Sequence, residues 1–157
     1  MKFRCAGIQD NFLDGIGTGL SIYFQGCESA CVGCHNPTLQ DKFSGFDYDT
    51  NDILEHLNEY TDFYTSVIYL GGEPCLQPKP LYTLAANSKL PNILYTGFSY
   101  YEIPSYIKDV MYVIVAGPYV QELKTENFPS SANQEIYINN ILTTNDFRKN
   151  YNVWEET

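Results

Sequence analysis

Three of the chain's five cysteines stand within eight positions, in the segment GCESACVGCHNP of residues 26–37. Cys27, Cys31 and Cys34 follow the spacing C-x3-C-x2-C. Thiolates are the ligands that zinc, copper(I) and iron–sulfur clusters prefer. A structural zinc ion or a [4Fe–4S] cluster normally takes four protein ligands, so a set of three leaves one position for an outside ligand. The spacing therefore favours an open, reactive metal centre.

Other interpretations of the same cysteines remain open from the spacing alone. A closed zinc site would need a fourth ligand from Cys5, Cys75 or His56, and none of these has a partner at ligand spacing. His56 lies at the edge of a polar helix face, where we expect it to be solvated. A thioredoxin-like pair of Cys31 and Cys34 would leave Cys27 without a role. Three unrelated core thiols are disfavoured because loop-forming residues separate them.

Short apolar runs that end at glycine indicate the elements that position these cysteines. The runs at 20–25, 66–70, 92–96 and 111–116 are rich in β-branched and aromatic residues, which predicts buried strands. Helices are predicted after Asp49 or Thr50, after Pro78 or Pro80, and over residues 99–108. Alternating strands and helices predict a parallel sheet, whose ligand site forms at the carboxyl ends of the strands.

The length of the chain limits the architecture. At 157 residues it is shorter than the roughly 200–250 residues of a complete eight-stranded α/β barrel. We therefore predict an α/β fold: a partial, open barrel of mainly parallel strands with helices outside, as a single domain over residues 1–157.

Composition disfavours several classes of function. The net charge is −10 with only nine lysines and arginines, which argues against nucleic-acid binding. No run approaches the roughly 18 apolar residues of a membrane span. Residues 1–10 lack the apolar core of a signal peptide, so we expect a cytoplasmic protein whose thiols stay reduced.

A second motif lies about one βα unit beyond the cysteines. Gly71, Gly72, Glu73 and Pro74 directly follow a predicted strand, and paired glycines let a ligand approach the main chain. Together with the cysteine triad, this motif resembles the radical S-adenosylmethionine superfamily. The resemblance implies that the methionine end of S-adenosylmethionine binds the open iron of a [4Fe–4S] cluster. It also implies that a 5′-deoxyadenosyl radical then abstracts a hydrogen atom.

Six motifs narrow the resemblance to one branch of that superfamily. They come in the order DGIG (14–17), GCESACVGCHNP (26–37), LGGEP (70–74), YTGF (95–98), AGPYV (116–120) and SSANQ (130–134). In order and spacing they resemble the anaerobic (class III) ribonucleotide reductase activating proteins, from about residue 14 to 140. The sequence departs from that pattern at Gln40, where tryptophan is usual, at Ala116, where aspartate is frequent, and at Pro129, Ser130 and Ala132. None of these departures removes a cluster ligand.

The resemblance implies roles for particular residues and no catalytic residue beyond the cluster and cofactor. Cys27, Cys31 and Cys34 would bind the [4Fe–4S] cluster. S-adenosylmethionine would lie against three further sets of residues: Gly33, Cys34 and His35 at its adenine end, Gly71, Gly72 and Glu73 at its methionine end, and Thr96 and Gly97 near its ribose.

The resemblance also implies partners. The hydrogen would come from a glycine of the anaerobic ribonucleotide reductase large subunit, leaving a glycyl radical there, and a flavodoxin-type protein would donate the electron. The alternatives are activation of another glycyl-radical enzyme, another small radical S-adenosylmethionine reaction, a structural zinc module, or a simple electron carrier.

Single cysteine substitutions separate these interpretations. Reconstituted protein should be brown, with about four irons per chain, and should bleach in air. We expect Cys27→Ala, Cys31→Ala and Cys34→Ala each to abolish the cluster, because three ligands leave none to spare. Cys5→Ala and Cys75→Ala, the matched controls, should keep it. Iron analysis and visible absorption measure the outcome, and loss of iron in Cys75→Ala would instead indicate a four-cysteine site.

Overall fold

The computed structural model describes residues 1–27, 37–41 and 43–148. The strands in these ranges are β1 (Lys2–Asn11), β2 (Gly19–Phe24), β3 (Phe46–Asp49), β4 (Ser66–Gly71), β5 (Asn92–Thr96), β6 (Val113–Ala116), β7 (Glu135–Ile138) and β8 (Ile141–Thr143). The helices are α1 (Thr50–Glu59), α2 (Pro78–Asn87) and α3 (Ser105–Lys108). Short 3-10 helices cover Pro37–Leu39, Pro74–Leu76, Tyr100–Glu102 and Gln121–Leu123.

The strands form one mixed sheet in the spatial order β3-β1-β2-β4-β5-β6-β7-β8. The four central strands pair in parallel, as predicted, because α1, α2 and α3 supply the crossovers between them. The outer pairings, of β1 with β2 and β3 and of β7 with β6 and β8, are antiparallel. The prediction of a mainly parallel sheet was therefore wrong. The short links at residues 12–18 and 139–140 reverse the chain between β1 and β2 and between β7 and β8, which gives antiparallel pairing. The open-barrel curvature stays a prediction.

The two faces of the sheet carry different coverings. One face packs against the helices through Ile53, Leu57, Leu81, Leu84 and Ile107, which are all buried. The opposite face forms a second apolar cluster: Ile16, Ile68, Ile93, Val113, Val115, Ile136 and Phe147. In the described residues, no helical side chain belongs to this second cluster. Ile16, Phe128 and Phe147, which lie outside the strands, pack on this face instead.

The helices begin and end for identifiable reasons. Asp49 caps α1 by accepting a hydrogen bond from the Asn51 backbone N–H, and Pro78 occupies the first turn of α2, as predicted. The helix predicted over residues 99–108 is instead a 3-10 turn followed by the four-residue α3. Pro104 explains the break, since Ile103 before it adopts an extended conformation. In the described part of the chain, no helix has the length and apolar character needed to cross a membrane.

Candidate functional site

The carboxyl ends of β4, β5 and β6 border a cavity of about 270 Å³. Six of the predicted site residues line it: Cys27, Gly71, Gly72, Glu73, Thr96 and Gly97. Cys31, Gly33, Cys34 and His35 lie outside the described residues, so their predicted roles stay predictions. The structure thus brings together, at one place, predicted residues from three separate segments of the sequence.

Further lining residues were given no role by the sequence analysis. They are Asp14, Gln40, Tyr95, Gly117, Pro118, Tyr119, Ser130 and Gln134, together with the apolar side chains of Leu70 and Val115. Most of them belong to motifs singled out for their order along the chain, namely DGIG, YTGF, AGPYV and SSANQ. These residues could therefore have been found from the motifs, although the spacing of the motifs does not show that they lie at one site.

Backbone pairing holds the two ends of the cysteine segment side by side. The Gly26 N–H donates to the Leu39 carbonyl oxygen at 2.7 Å, and the Cys27 N–H donates to that of Gln40 at 3.0 Å. On its other side, the Gly26 carbonyl oxygen accepts from the Glu73 N–H at 2.7 Å. Cys27, which is half-buried, is therefore fixed against the end of β4.

This close approach explains why two glycines follow one another here. Gly71 has a φ of +115°, a conformation that side chains rarely allow, and a Cβ there would lie 2.6 Å from the Phe24 carbonyl oxygen. A Cβ on Gly72 would lie 2.6 Å from the Leu39 carbonyl oxygen and closer still to that of Gly26. Both glycines are required by the packing of backbone on backbone beside Cys27.

The Glu73 carboxylate points into the protein and is only 2% exposed. Its Oε1 accepts from the Gly97 N–H at 2.6 Å. Its Oε2 accepts from the Cys75 N–H at 2.8 Å and from the Thr96 hydroxyl at 2.7 Å. One side chain therefore joins the loop after β4 to the end of β5.

The direction of the Thr96 hydrogen bond follows from its other partner. The Phe98 N–H donates to Thr96 Oγ1 at 3.0 Å, so the hydroxyl hydrogen is free to point to Glu73. Each oxygen of the Glu73 carboxylate accepts from a backbone N–H, which cannot itself accept a proton, and the third contact is the Thr96 hydroxyl, which also lies 3.5 Å from Cys75 Sγ. Burial raises the pKa of Glu73, and the donated hydrogen bonds oppose that shift. The geometry suits the ionised form.

Glu73 therefore places a buried negative charge in the cavity wall. Within residues 1–27, 37–41 and 43–148, it forms no ion pair with a lysine, arginine or histidine. Buried charges are costly unless they are compensated. The arrangement favours a ligand that brings positive charge into the cavity.

The thiols outside the motif are core residues, as predicted. Cys5 and Cys75 are buried, and burial raises the pKa of Cys5 to about 11 and that of Cys75 to about 12. Both thiols are therefore protonated near neutral pH. Among the described residues, no three metal-ligating side chains come together.

Glu73→Gln tests whether the carboxylate joins the loop after β4 to the end of β5. The side-chain amide nitrogen of glutamine is a donor, and in either orientation it would face a group that now donates to a Glu73 oxygen. Because one hydrogen bond would then be replaced by two donors facing each other, we expect the free energy of unfolding to fall by about 2 kcal/mol or more. Glu55→Gln, which removes an equal charge from an exposed position on α1, should change it by less than about 0.5 kcal/mol. Urea unfolding measures both, and equal small effects would contradict this role of Glu73.

Comparison with known proteins identifies a matching family and several relatives. A family model described as a 4Fe-4S single cluster domain matches residues 13–137. The pyruvate formate-lyase-activating enzyme of Clostridium pasteurianum is 31% identical over 71 residues, which cover 43% of this chain and 30% of that protein. A putative glycyl-radical enzyme activating enzyme of Haemophilus influenzae is 33% identical over 78 residues, covering 46% of this chain and 28% of that protein.

A solved structure, that of QueE from Escherichia coli, superposes with a TM-score of 0.48 and 19% identity. The superposition covers 63% of this chain and 54% of that one. The chain matches less than a third of the length of the curated relatives. The family model, by contrast, spans most of the chain and includes the cysteine motif and all three strand ends of the cavity. The chain belongs to the 4Fe-4S single cluster domain family.

Proposed function

We propose that this chain is an activating enzyme for a glycyl-radical enzyme, with anaerobic ribonucleotide reductase as its substrate. It would hold a [4Fe–4S] cluster on Cys27, Cys31 and Cys34 and S-adenosylmethionine in the cavity beside them. One observation carries the proposal: a cysteine of the triad and the Gly71–Gly72–Glu73 turn line the same cavity.

The residues that line the cavity fit an iron–sulfur cluster and S-adenosylmethionine. Cys27 is a free thiol at the cavity, and thiolates are the ligands of iron–sulfur clusters. S-adenosylmethionine carries positive charge on its sulfonium and ammonium groups. The Glu73 carboxylate, which forms no ion pair in the described residues, supplies a matching negative field in the wall of the cavity.

The hydrogen bonds of Glu73 refine the role first expected for it. Its three partners leave it turned toward the protein, so it would act on the ligand through its charge and by fixing the turn. Direct contacts with the methionine end would then fall to the main chain of Gly71 and Gly72. Thr96 and Gly97, which the same carboxylate holds, would lie at the ribose.

The chain's own part in the reaction is to bind, orient and exclude water. When bound, the cluster and S-adenosylmethionine supply the one-electron chemistry that removes a hydrogen atom from a carbon. Leu70, Tyr95 and Val115 give the cavity an apolar wall, and the Tyr95 hydroxyl is held by donating to the Asp14 carbonyl oxygen at 2.7 Å. A fixed, apolar wall would keep water and thiols away from a reactive carbon.

Two observations bear on the substrate. The order and spacing of the six motifs support anaerobic ribonucleotide reductase, with a glycine Cα as the hydrogen donor. The pyruvate formate-lyase-activating enzymes among the relatives favour a second candidate, in which the chain activates a different glycyl-radical enzyme. In both cases we propose a flavodoxin-type electron donor and a cytoplasmic location, where thiols stay reduced.

Electron paramagnetic resonance tests the activity and its substrate together. Reconstituted protein, a reductant, S-adenosylmethionine and anaerobic ribonucleotide reductase should give a doublet, because the unpaired Cα electron couples to the one remaining α-hydrogen. The signal should require all four components, and the chain without the reductase should show no persistent doublet.

Two controls assign the signal. Replacing the radical-site glycine of the reductase with alanine should remove the doublet without preventing complex formation. A parallel reaction uses pyruvate formate-lyase in place of the reductase. A doublet only in that reaction would establish the second candidate, and a doublet on this chain alone would contradict both.

A further inference from the structure

A second cavity, of about 570 Å³, lies between strands β1 and β2 and the carboxyl end of α1. It shares no lining residue with the candidate site. It is lined by Ile8, Gln9, Asp10, Leu20 and His56, and by the aromatic side chains of Tyr60, Phe63 and Tyr64. The proposed function gives this cavity no role.

Five rings contact one another in a row beside this cavity, and four of them, all but Phe12, line it. The centroids of successive rings lie 5.0 to 6.5 Å apart in the order Phe12, Phe63, Tyr64, His56 and Tyr60. We name these five rings, together with Asp10, the aromatic notch. Phe12 is 62% exposed, Tyr60 48% and Phe63 44%. Tyr64 is buried beneath them. Exposed aromatic side chains grouped beside one cavity are typical of binding sites.

A hydrogen-bond chain fixes the polar side of the aromatic notch. The Tyr64 hydroxyl donates to Asp10 Oδ1 at 2.5 Å. Because that hydrogen is used, the Tyr64 oxygen accepts from His56 Nε2, which lies 2.9 Å away. His56 is thus held in the notch, and the expectation that it is merely solvated was wrong.

The charge of the aromatic notch is unbalanced. No lysine or arginine lines the cavity, and in the described part of the chain Asp10 Oδ2 accepts no hydrogen bond. Glu59 and Asp62, next to Tyr60 and Phe63 in the sequence, are exposed and add negative charge nearby. The whole chain carries a net charge of −10. A ligand for this place should therefore be cationic.

We propose that the aromatic notch binds an arginine side chain of a protein partner. A guanidinium group is planar and weakly hydrated, so it stacks on aromatic rings while donating hydrogen bonds to a carboxylate. The exposed rings of Phe12, Tyr60 and Phe63 would pack on the guanidinium and its aliphatic stem, and Asp10 Oδ2 would accept its hydrogen bonds. The ammonium group of lysine would fit less well, because it is compact and strongly hydrated.

Peptide binding tests this assignment. The probes are the capped peptides acetyl-Gly-Arg-Gly-amide, its lysine counterpart, its leucine counterpart and its citrulline counterpart, which keeps the shape of arginine without the charge. Nuclear magnetic resonance follows the ring signals of the full chain during titration. We expect saturable binding of the arginine peptide, about threefold or more tighter than the lysine peptide, and none of the citrulline peptide.

Variants locate the binding. Asp10→Asn should weaken the arginine peptide about threefold or more, and Phe63→Ala should weaken it by a similar factor. Asp109→Asn removes the same charge from an exposed position beyond α3 and should leave binding unchanged. Equal effects of Asp10→Asn and Asp109→Asn would overturn the proposal, as would absence of saturable binding. Tighter binding of the citrulline or leucine peptide would show that the notch takes an uncharged or apolar group instead.

Discussion

The buried carboxylate of Glu73 is the interaction on which the candidate site depends. It accepts hydrogen bonds from the loop after β4 and from the end of β5, so two strand ends share one side chain. On the other side of the same turn, Gly71 and Gly72 let the backbone of β4 reach the residues beside Cys27. The thiol, the glycine turn and the β5 end are thereby held in a single rigid unit.

The mixed topology completes the cavity around this unit. The parallel centre of the sheet supplies the strand ends, as expected for α/β proteins. The links between antiparallel strands supply other parts of the wall. Asp14 lies in the link between β1 and β2, and Ser130 and Gln134 lie in the link between β6 and β7. Gln40 and Ser130, where the sequence departs from the activating-protein pattern, also line the cavity.

The sequence predicted the parallel core and much of the site because both depend on local signals. Apolar runs that end at glycine located β2, β4, β5 and β6, and parallel strand ends must meet at one edge. The strand β1 was missed because Gly7 and charged residues interrupt its pattern, and β8 because it has only three residues. The turn at Asn139 and Asn140, both with positive φ, was a local signal for the β7–β8 hairpin.

What the sequence could not predict depends on long-range contacts. The inward orientation of Glu73 is set by donors 23 and 24 residues away, and the placement of His56 in the aromatic notch is set by Tyr64 and Asp10. Periodicity on α1 gives only the face of a helix and not the partner that covers it. For both Glu73 and His56, the contacts that determine the role of the side chain come from residues that only the fold brings close.

Reductive cleavage of S-adenosylmethionine by this chain can be measured without any assumption about the partner. The reconstituted protein is incubated anaerobically with reductant and S-adenosylmethionine, and 5′-deoxyadenosine is quantified by chromatography. We predict that 5′-deoxyadenosine forms only when both the reductant and the iron-loaded protein are present, and that the Cys27→Ala variant forms none. A protein that binds zinc instead of iron, or one that holds a stable iron–sulfur cluster and yet forms no 5′-deoxyadenosine, would contradict this prediction.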